Sequence, residues 1–504
     1  MEHKSMWTRL FAAFAAVLLT LGIAAPAFAA VTPDAKGTVT LSGIEKGAEV
    51  NAYQLIEVGY NGNDPSGAYF WNNDVAAWLK GNGYAELVDQ NGAVTEKYDK
   101  EDKPLYGKLA GDIKAGKLAL TPAGTATANG SDVSLELPQG GYLILVSNSA
   151  KYVYGTIVTN IYPTYKDGSW SLTTDSVNIN VKRKEISIDK TADGEDHTGA
   201  QIGDEVKFKI DATVPGYPEG AKDTVFNIVD TMSQGLTFND DIKVVGYKGS
   251  DKAELVEGTH YTKETRDGAT FVLSFKYDQV KDFDKVEVTY TATLNEGAVV
   301  GPDGNTNNAK LEWNNNPFDE NGFKPGDGTT DETDVYTYGL DILKVVKNDL
   351  DTKLTGAVFE AYDAKSNKLS FVAEGNGVYR LAKKGDAKTT TELAVGESGK
   401  NVGRLVLKGL DTGNYTLKEI KAPEGYALPS STFDFTIADS QPDGTVDGTP
   451  SVDLNAGYVA GKVENSKGFA LPTTGGAGTV AITAAGVLVM AGAGLYLVRS
   501  RKQQ

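Results

Sequence analysis

Short apolar or alternating runs recur along most of the chain, among them Thr38-Val39-Thr40-Leu41, Tyr142-Leu143-Ile144-Leu145-Val146, Lys207-Phe208-Lys209-Ile210, Lys285-Val286-Glu287-Val288-Thr289-Tyr290 and Arg404-Leu405-Val406-Leu407. Clusters of Gly, Asn and Asp separate them. A period of two sends alternate side chains to opposite faces of a strand, so this pattern predicts half-buried antiparallel sheets. Turn signals roughly every 8 to 15 positions fit β-sandwiches, and 57 glycines supply them. Helical periodicity appears only around Asn73 to Lys80. The expected fold is all-β, with minor helix near the start.

Two breaks divide the pattern. Val177 to Ile186 is strand-like and runs directly into Ile186-Ser187-Ile188-Asp189-Lys190-Thr191, while Asn321 to Asp334 reads as a Gly, Asp and Thr loop before Tyr338-Gly339-Leu340-Asp341-Ile342-Leu343-Lys344. Three tandem sandwich domains follow: 31–182, 183–338 and 339–467. The second and third open alike, each on an alternating strand that presents a lysine.

The ends are of another kind. Residues 1–30 carry Lys4 and Arg9, then an apolar run, then Ala27-Phe28-Ala29, which is the build of a secretory signal peptide. Residues 468–504 contain an apolar block ending at Val498, followed by Arg499, Arg501 and Lys502. About 20 apolar residues suffice to cross a bilayer, so a transmembrane helix with a cytoplasmic basic tail is expected there.

The chain has 49 Lys plus Arg against 67 Asp plus Glu, a net charge of −18. Loss of both ends would remove five basic residues against one acid and take that charge to −22. An acidic chain lacks the basic footprint of a nucleic-acid binder. Cysteine is absent, which excludes disulfides, thiolate metal sites and a cysteine nucleophile. Outside the leader only His197 and His260 remain, with no G-x-S-x-G, H-E-x-x-H or metal-ligand spacing. No turnover enzyme, cofactor or bound metal is expected.

A lysine on a first strand, an asparagine on a last strand and an acid between them permit one covalent step. Burial disfavours the ammonium and leaves a nucleophilic amine, and it keeps a carboxyl protonated. That acid can polarise the carboxamide and shuttle a proton while the amine displaces ammonia, leaving an intramolecular isopeptide bond.

Leu471-Pro472-Thr473-Thr474-Gly475, standing before the apolar block and basic tail, resembles the LPxTG cell-wall sorting signal of Gram-positive surface proteins. The resemblance implies that a sortase cuts between Thr474 and Gly475 and joins the Thr474 carbonyl to an amine. Leu354-Thr355-Gly356-Ala357-Val358-Phe359, Gly413 to Glu419, Ala422-Pro423-Glu424-Gly425-Tyr426 and Val463-Glu464-Asn465 look like the collagen-adhesin-B-type immunoglobulin-like domain. Val229-Asp230-Thr231, Gly235-Leu236-Thr237-Phe238 and Asn307 to Pro317 resemble the middle domain of Gram-positive fimbrial shaft proteins.

From these resemblances the third domain is assigned Lys344 and Asn465 as cross-linking residues and Glu419 as the promoting acid. The second is assigned Lys190, Asn315 and Asp230. Asn307, Asn314 and Asn316 compete with Asn315, and strand phase keeps Asn307 and Asn315 on one face. The first domain offers no triad. The stretch Val177 to Lys182, with Trp170 and Asp175 upstream, resembles a pilin motif and makes Lys182 the acceptor of the Thr474 acyl group, ahead of Lys184 and Lys166. Asn180-Val181 stands where that motif has Tyr-Pro, and a Tyr162-Pro163 pair occurs earlier.

The implied protein is a structural pilus shaft subunit, secreted, wall-anchored and acting in adhesion. Its expected partners are a pilus-type sortase, identical subunits joined head to tail, tip and base pilins, peptidoglycan and a host or bacterial receptor. The alternative is a monomeric wall-anchored adhesin.

Overall fold

The computed structural model describes residues 31–172, 177–324 and 328–468. The signal peptide, the sorting motif Leu471 to Gly475, the apolar block beyond it and Asp175 lie outside the described residues. These comprise many strands and few helices, as the alternation predicts. No helix among them is long and apolar enough to cross a membrane. That corrects the expected transmembrane helix, which was read from hydropathy alone over a stretch beyond the described residues.

The chain separates into two compact units that divide mainly between Lys182 and Arg183, with residues 218–221 belonging to the first and 150–153 to the second. In the first, β1 (Lys36–Ser42) and β2 (Glu49–Asn61) belong to different sheets. Its helices are α1 (Asn73–Gly81) and α2 (Lys103–Lys114). Asn72 caps α1 by accepting the Asp74 N–H at 3.0 Å, and Asp102 caps α2 by accepting the Leu105 N–H at 3.1 Å. The second helix was not expected. β3 (Asp132–Pro138) pairs with β1, and β4 (Gly140–Ser147) with β2. β4 is buried at every position, because α2 packs beside it while the neighbouring strands flank it. β5 (Val177–Asn180) lies parallel to β1, with Val39 opposite Val177 and Ser42 opposite Asn180.

The second unit holds two sandwiches. β6 (Ile188–Ala192) edges one sheet of the first, beside β7 (Glu205–Thr213). In the facing sheet β8 (Phe226–Met232) is central. β9 (Lys285–Leu294) pairs with β7, and β10 (Asn305–Trp313) pairs with β8. β11 (Thr329–Tyr336) closes against β10. β9 alternates perfectly, burying Val286, Val288, Tyr290, Ala292 and Leu294. On β10 the inward row is Asn305, Asn307, Ala309, Leu311 and Trp313, so two amides point where apolar side chains are the rule.

Only Thr337 separates β11 from β12 (Tyr338–Val346), the first strand of the second sandwich. β12 pairs antiparallel with β13 (Arg404–Leu410). β14 (Gly413–Lys421) is in the other sheet. The closing strand, β15 (Tyr458–Asn465), returns to lie parallel to β12, from Gly339 opposite Tyr458 to Val346 opposite Asn465. One contiguous apolar core runs through both sandwiches, including Phe208, Phe226, Tyr336, Tyr338 and Phe359. The second and third expected domains are therefore two sandwiches within one packed body.

Candidate functional site

Lys190 and Lys344 are the two lysines buried among the described residues, each with no exposed surface. Burying an unpaired ammonium is costly, so each position calls for an explanation from its neighbours. The buried polar side chains of the first unit are Gln139, Ser147 and Ser149, and no lysine is among them.

In the second sandwich of the large unit, the parallel register sets Lys344 opposite Val463, two residues before Asn465. The Lys344 Nζ donates to Asn465 Oδ1 at 2.5 Å and to the Val463 carbonyl at 3.1 Å. Glu419, on β14 in the facing sheet, completes the group. Asn465 Nδ2 donates to its Oε1 at 2.7 Å, and its Oε2, with no hydrogen bond of its own, faces Lys344 Nζ at 3.4 Å. All three side chains are buried. Burial pulls the Lys344 ammonium below the ordinary lysine range, though the Glu419 charge opposes this. Burial also raises the Glu419 carboxyl. Both directions favour a neutral amine beside a protonated acid, the state in which Lys344 is a nucleophile. Glu419 touches the attacking nitrogen and the departing one together, so one carboxyl can take the proton from Nζ and return one to the leaving ammonia.

In the first sandwich, Lys190 of β6 crosses the core to Asp230 of β8. Its Nζ donates to Asp230 Oδ2 in a very short contact and to the Tyr290 hydroxyl at 2.7 Å. Tyr290, from β9, donates in turn to Asp230 Oδ2. The Tyr290 oxygen also accepts from Asn307 Nδ2 at 3.0 Å. Asp230 Oδ1 and Asn307 Oδ1 are buried with no hydrogen-bond partner. A carboxylate oxygen left so would be heavily penalised, which favours the protonated acid. Burial accordingly raises Asp230 and lowers Lys190, and it holds the Tyr290 phenol well above its usual range.

Asn315, assigned from sequence, is not in this group. β10 ends at Trp313, and Asn315 lies half-buried in the turn that follows. Strand phase could not separate it from Asn307, because phase carries no information about where a strand stops. The other asparagines have structural work. Asn314 donates to the Asp223 carbonyl at 3.0 Å and accepts the Asn316 N–H at 2.8 Å, and Asn316 reaches Asp319. Asn305 is fully satisfied, accepting the Val299 N–H at 2.8 Å and donating to the Val299 and Val335 carbonyls. Asn307 alone keeps a buried carbonyl oxygen open. Tyr290 was missed in the sequence, where its only signal was the inward phase of its strand.

Lys182 is exposed just beyond β5, its carbonyl accepting the Gly155 N–H at 3.3 Å. Lys166 is exposed at the end of the Pro163–Lys166 strand, whose Tyr165 packs on Trp170 with ring centres 5.2 Å apart, and Lys184 is half-buried.

Comparison with known proteins adds an independent observation. Residues 202–317 match the Gram-positive pilin backbone subunit 2, Cna-B-like domain, residues 341–451 a prealbumin-like fold domain, and residues 463–504 the LPXTG cell wall anchor motif. The chain is 26% identical to the trypsin-resistant surface T6 protein of Streptococcus pyogenes serotype M6, over 97% of this chain and 99% of that one. It is 26% identical to fimbrial subunit type 1 of Actinomyces viscosus, covering 78% of this chain and 80% of the relative. In fold it resembles the three-domain T6 backbone pilin of Streptococcus pyogenes, with a TM-score of 0.59 at 21% identity over 87% of this chain and all of that one.

Proposed function

From a chain that carries the backbone-pilin domain, the prealbumin-like domain and the cell-wall anchor motif of Gram-positive fimbriae, we infer a structural shaft subunit of a wall-anchored surface pilus. Polymerising subunits and attachment to the cell wall follow from that identity. In the finer reading, a pilus-type sortase joins Thr474 of one subunit to Lys182 of the next. Tip and base pilins, peptidoglycan and a host or bacterial receptor are its further partners. The chemistry within the chain is a single maturation event per site, not turnover catalysis.

Lys344 and Asn465 form one isopeptide bond, promoted by Glu419, and Lys190 and Asn307 form another, promoted by Asp230. The observation that carries this reading is that each fully buried lysine shares a buried cluster with a carboxamide and an acid of raised proton affinity, Lys344 touching Asn465 directly and Lys190 meeting Asn307 at the Tyr290 hydroxyl. The tie at Lys344 and Asn465, between the first and last strands of its sandwich, would carry tension along the shaft without unzipping the sheet.

The test of polymerisation is a denaturing gel of wall extracts. A ladder that collapses on Lys182→Ala and survives Lys184→Ala and Lys166→Ala is expected. A single band in the unaltered strain would instead mark a monomeric wall-anchored adhesin.

A further inference from the structure

We propose that the Tyr290 hydroxyl is the proton relay between Asp230 and Asn307, performing in the first sandwich a transfer that Glu419 performs unaided in the second. The proposal rests on the reading of Lys190 and Asn307 as bond-forming partners and adds a catalytic residue to it.

The two sites differ in reach. Glu419 hydrogen-bonds the Asn465 Nδ2 directly, at 2.7 Å. Asp230 is one methylene shorter. Its Oδ2 is engaged by Lys190 and Tyr290 and its Oδ1 has no partner, so no hydrogen bond joins it to the carboxamide. What spans the gap is the phenol, which touches the acid, the attacking nitrogen and the departing nitrogen at once. A hydroxyl offers one donor and two acceptor lone pairs, and all are used here.

The ring is fixed for this task. Phe208 stacks on it with centroids 5.5 Å apart, while Phe271 at 5.2 Å and Phe238 at 5.8 Å meet it edge-on. The enclosure also keeps the phenol neutral, so it acts by giving one proton as it receives another.

The step balances. The neutral Lys190 amine bonds to the Asn307 carboxamide carbon and gives a proton to Asp230. Asp230 passes one to the Tyr290 oxygen as the phenol gives its own to Nδ2. The carbon–Nδ2 bond breaks and ammonia leaves, with Asp230 and Tyr290 returned to their starting state.

Intact mass of the mature chain, followed over time after purification, tests this. Each bond removes one ammonia, about 17 Da. Unaltered protein is expected to lose two, and Lys190→Ala one, with the Lys344 site as internal control. Tyr290→Phe keeps the packed ring and removes only the hydroxyl. It should lose the first ammonia normally and the second on the order of a hundredfold more slowly. Asp230→Glu combined with Tyr290→Phe should recover the second loss, since a glutamate supplies the missing reach. That rescue would not follow if the hydroxyl only supported packing. A wild-type time course in Tyr290→Phe, or a double variant as slow as the single one, overturns the relay. If unaltered protein and Lys190→Ala both lose a single ammonia, the bond at Lys190 does not form and the premise falls with the proposal.

Discussion

Lys344 and Asn465 sit on the first and last strands of one sandwich, which run parallel with Lys344 opposite Val463, and Nζ reaches the asparagine oxygen at 2.5 Å from a residue 121 positions away in sequence. Closing a loop of that length removes about 5 kcal/mol of unfolded-state entropy on the model used for disulfides. Asn465→Ala should fall short of its own sequence mass by one ammonia, about 17 Da, where unaltered protein falls short by two, and it should lower unfolding stability by several kcal/mol in urea titrations. Equal stability with and without the bond would show that it does not constrain unfolding.

The two asparagines of the neighbouring sandwich separate as cleanly. Asn307 is buried beside Tyr290 with its carbonyl oxygen unpaired, whereas Asn315 stands beyond the strand in a turn. Asn307→Ala is expected to abolish the mass loss that depends on Lys190, and Asn315→Ala to leave it intact. Mass spectrometry of peptides linking Lys190 to its partner distinguishes them, and a cross-linked peptide containing Asn315 would reverse the assignment.

These cases mark what the sequence carries. Lys344, Glu419 and Asn465 were legible because the runs that carry them resemble the collagen-adhesin-B-type domain, and that resemblance, not strand phase, singled them out. Asn307 and Asn315 share a phase, and the strand's end at Trp313 is set by a turn in which Asn316 bonds locally to Asp319 while Asn314 reaches the Asp223 carbonyl, 91 positions away and invisible to pattern. Tyr290 was illegible in another way. An inward tyrosine on an alternating strand ordinarily fills a core, and only its contact with three polar groups from other strands gives it a role. α2 left a trace that was overlooked. Asp102 and Pro104 open it, and Leu105, Tyr106, Leu109, Ala110 and Ile113 share its buried face. Gly107 and Gly111, poor helix formers, dilute that signal, and packing against β4 overrides them.

A buried ion pair braces the same sandwich as Lys344. Arg404 of β13 places Nε 2.8 Å from Asp341 Oδ1 on β12, and Ser451 donates to Asp341 Oδ2 at 2.6 Å. Both charged side chains are 4% exposed. Arg404→Met would leave the carboxylate buried without its cation and should cost about 3–5 kcal/mol. Arg404→Met with Asp341→Leu should recover most of that loss, because no buried unpaired charge remains; Asp453, which Arg404 also contacts, is largely exposed. Denaturant titration of the two variants checks the difference, and a double variant no more stable than the single one would show that packing, not charge, sets the cost.

The raised Glu419 carboxyl gives a pH dependence whose sign can be fixed. Lys344→Met removes the charge that opposes burial and the bond that would otherwise dominate stability. The buried acid then binds its proton more tightly folded than unfolded. Its contribution is complete below the ordinary carboxyl value of about 4.3 and is lost as pH rises through the higher folded value. The urea midpoint of Lys344→Met should consequently be higher at pH 4 than at pH 8, relative to Lys344→Met with Glu419→Gln, in which the same position cannot ionise. Taking the difference between these two variants cancels the other carboxylates of this acidic chain. If the two midpoints run parallel across that range, Glu419 is not held protonated by the fold, and its role as the proton-carrying acid beside Lys344 is lost with it.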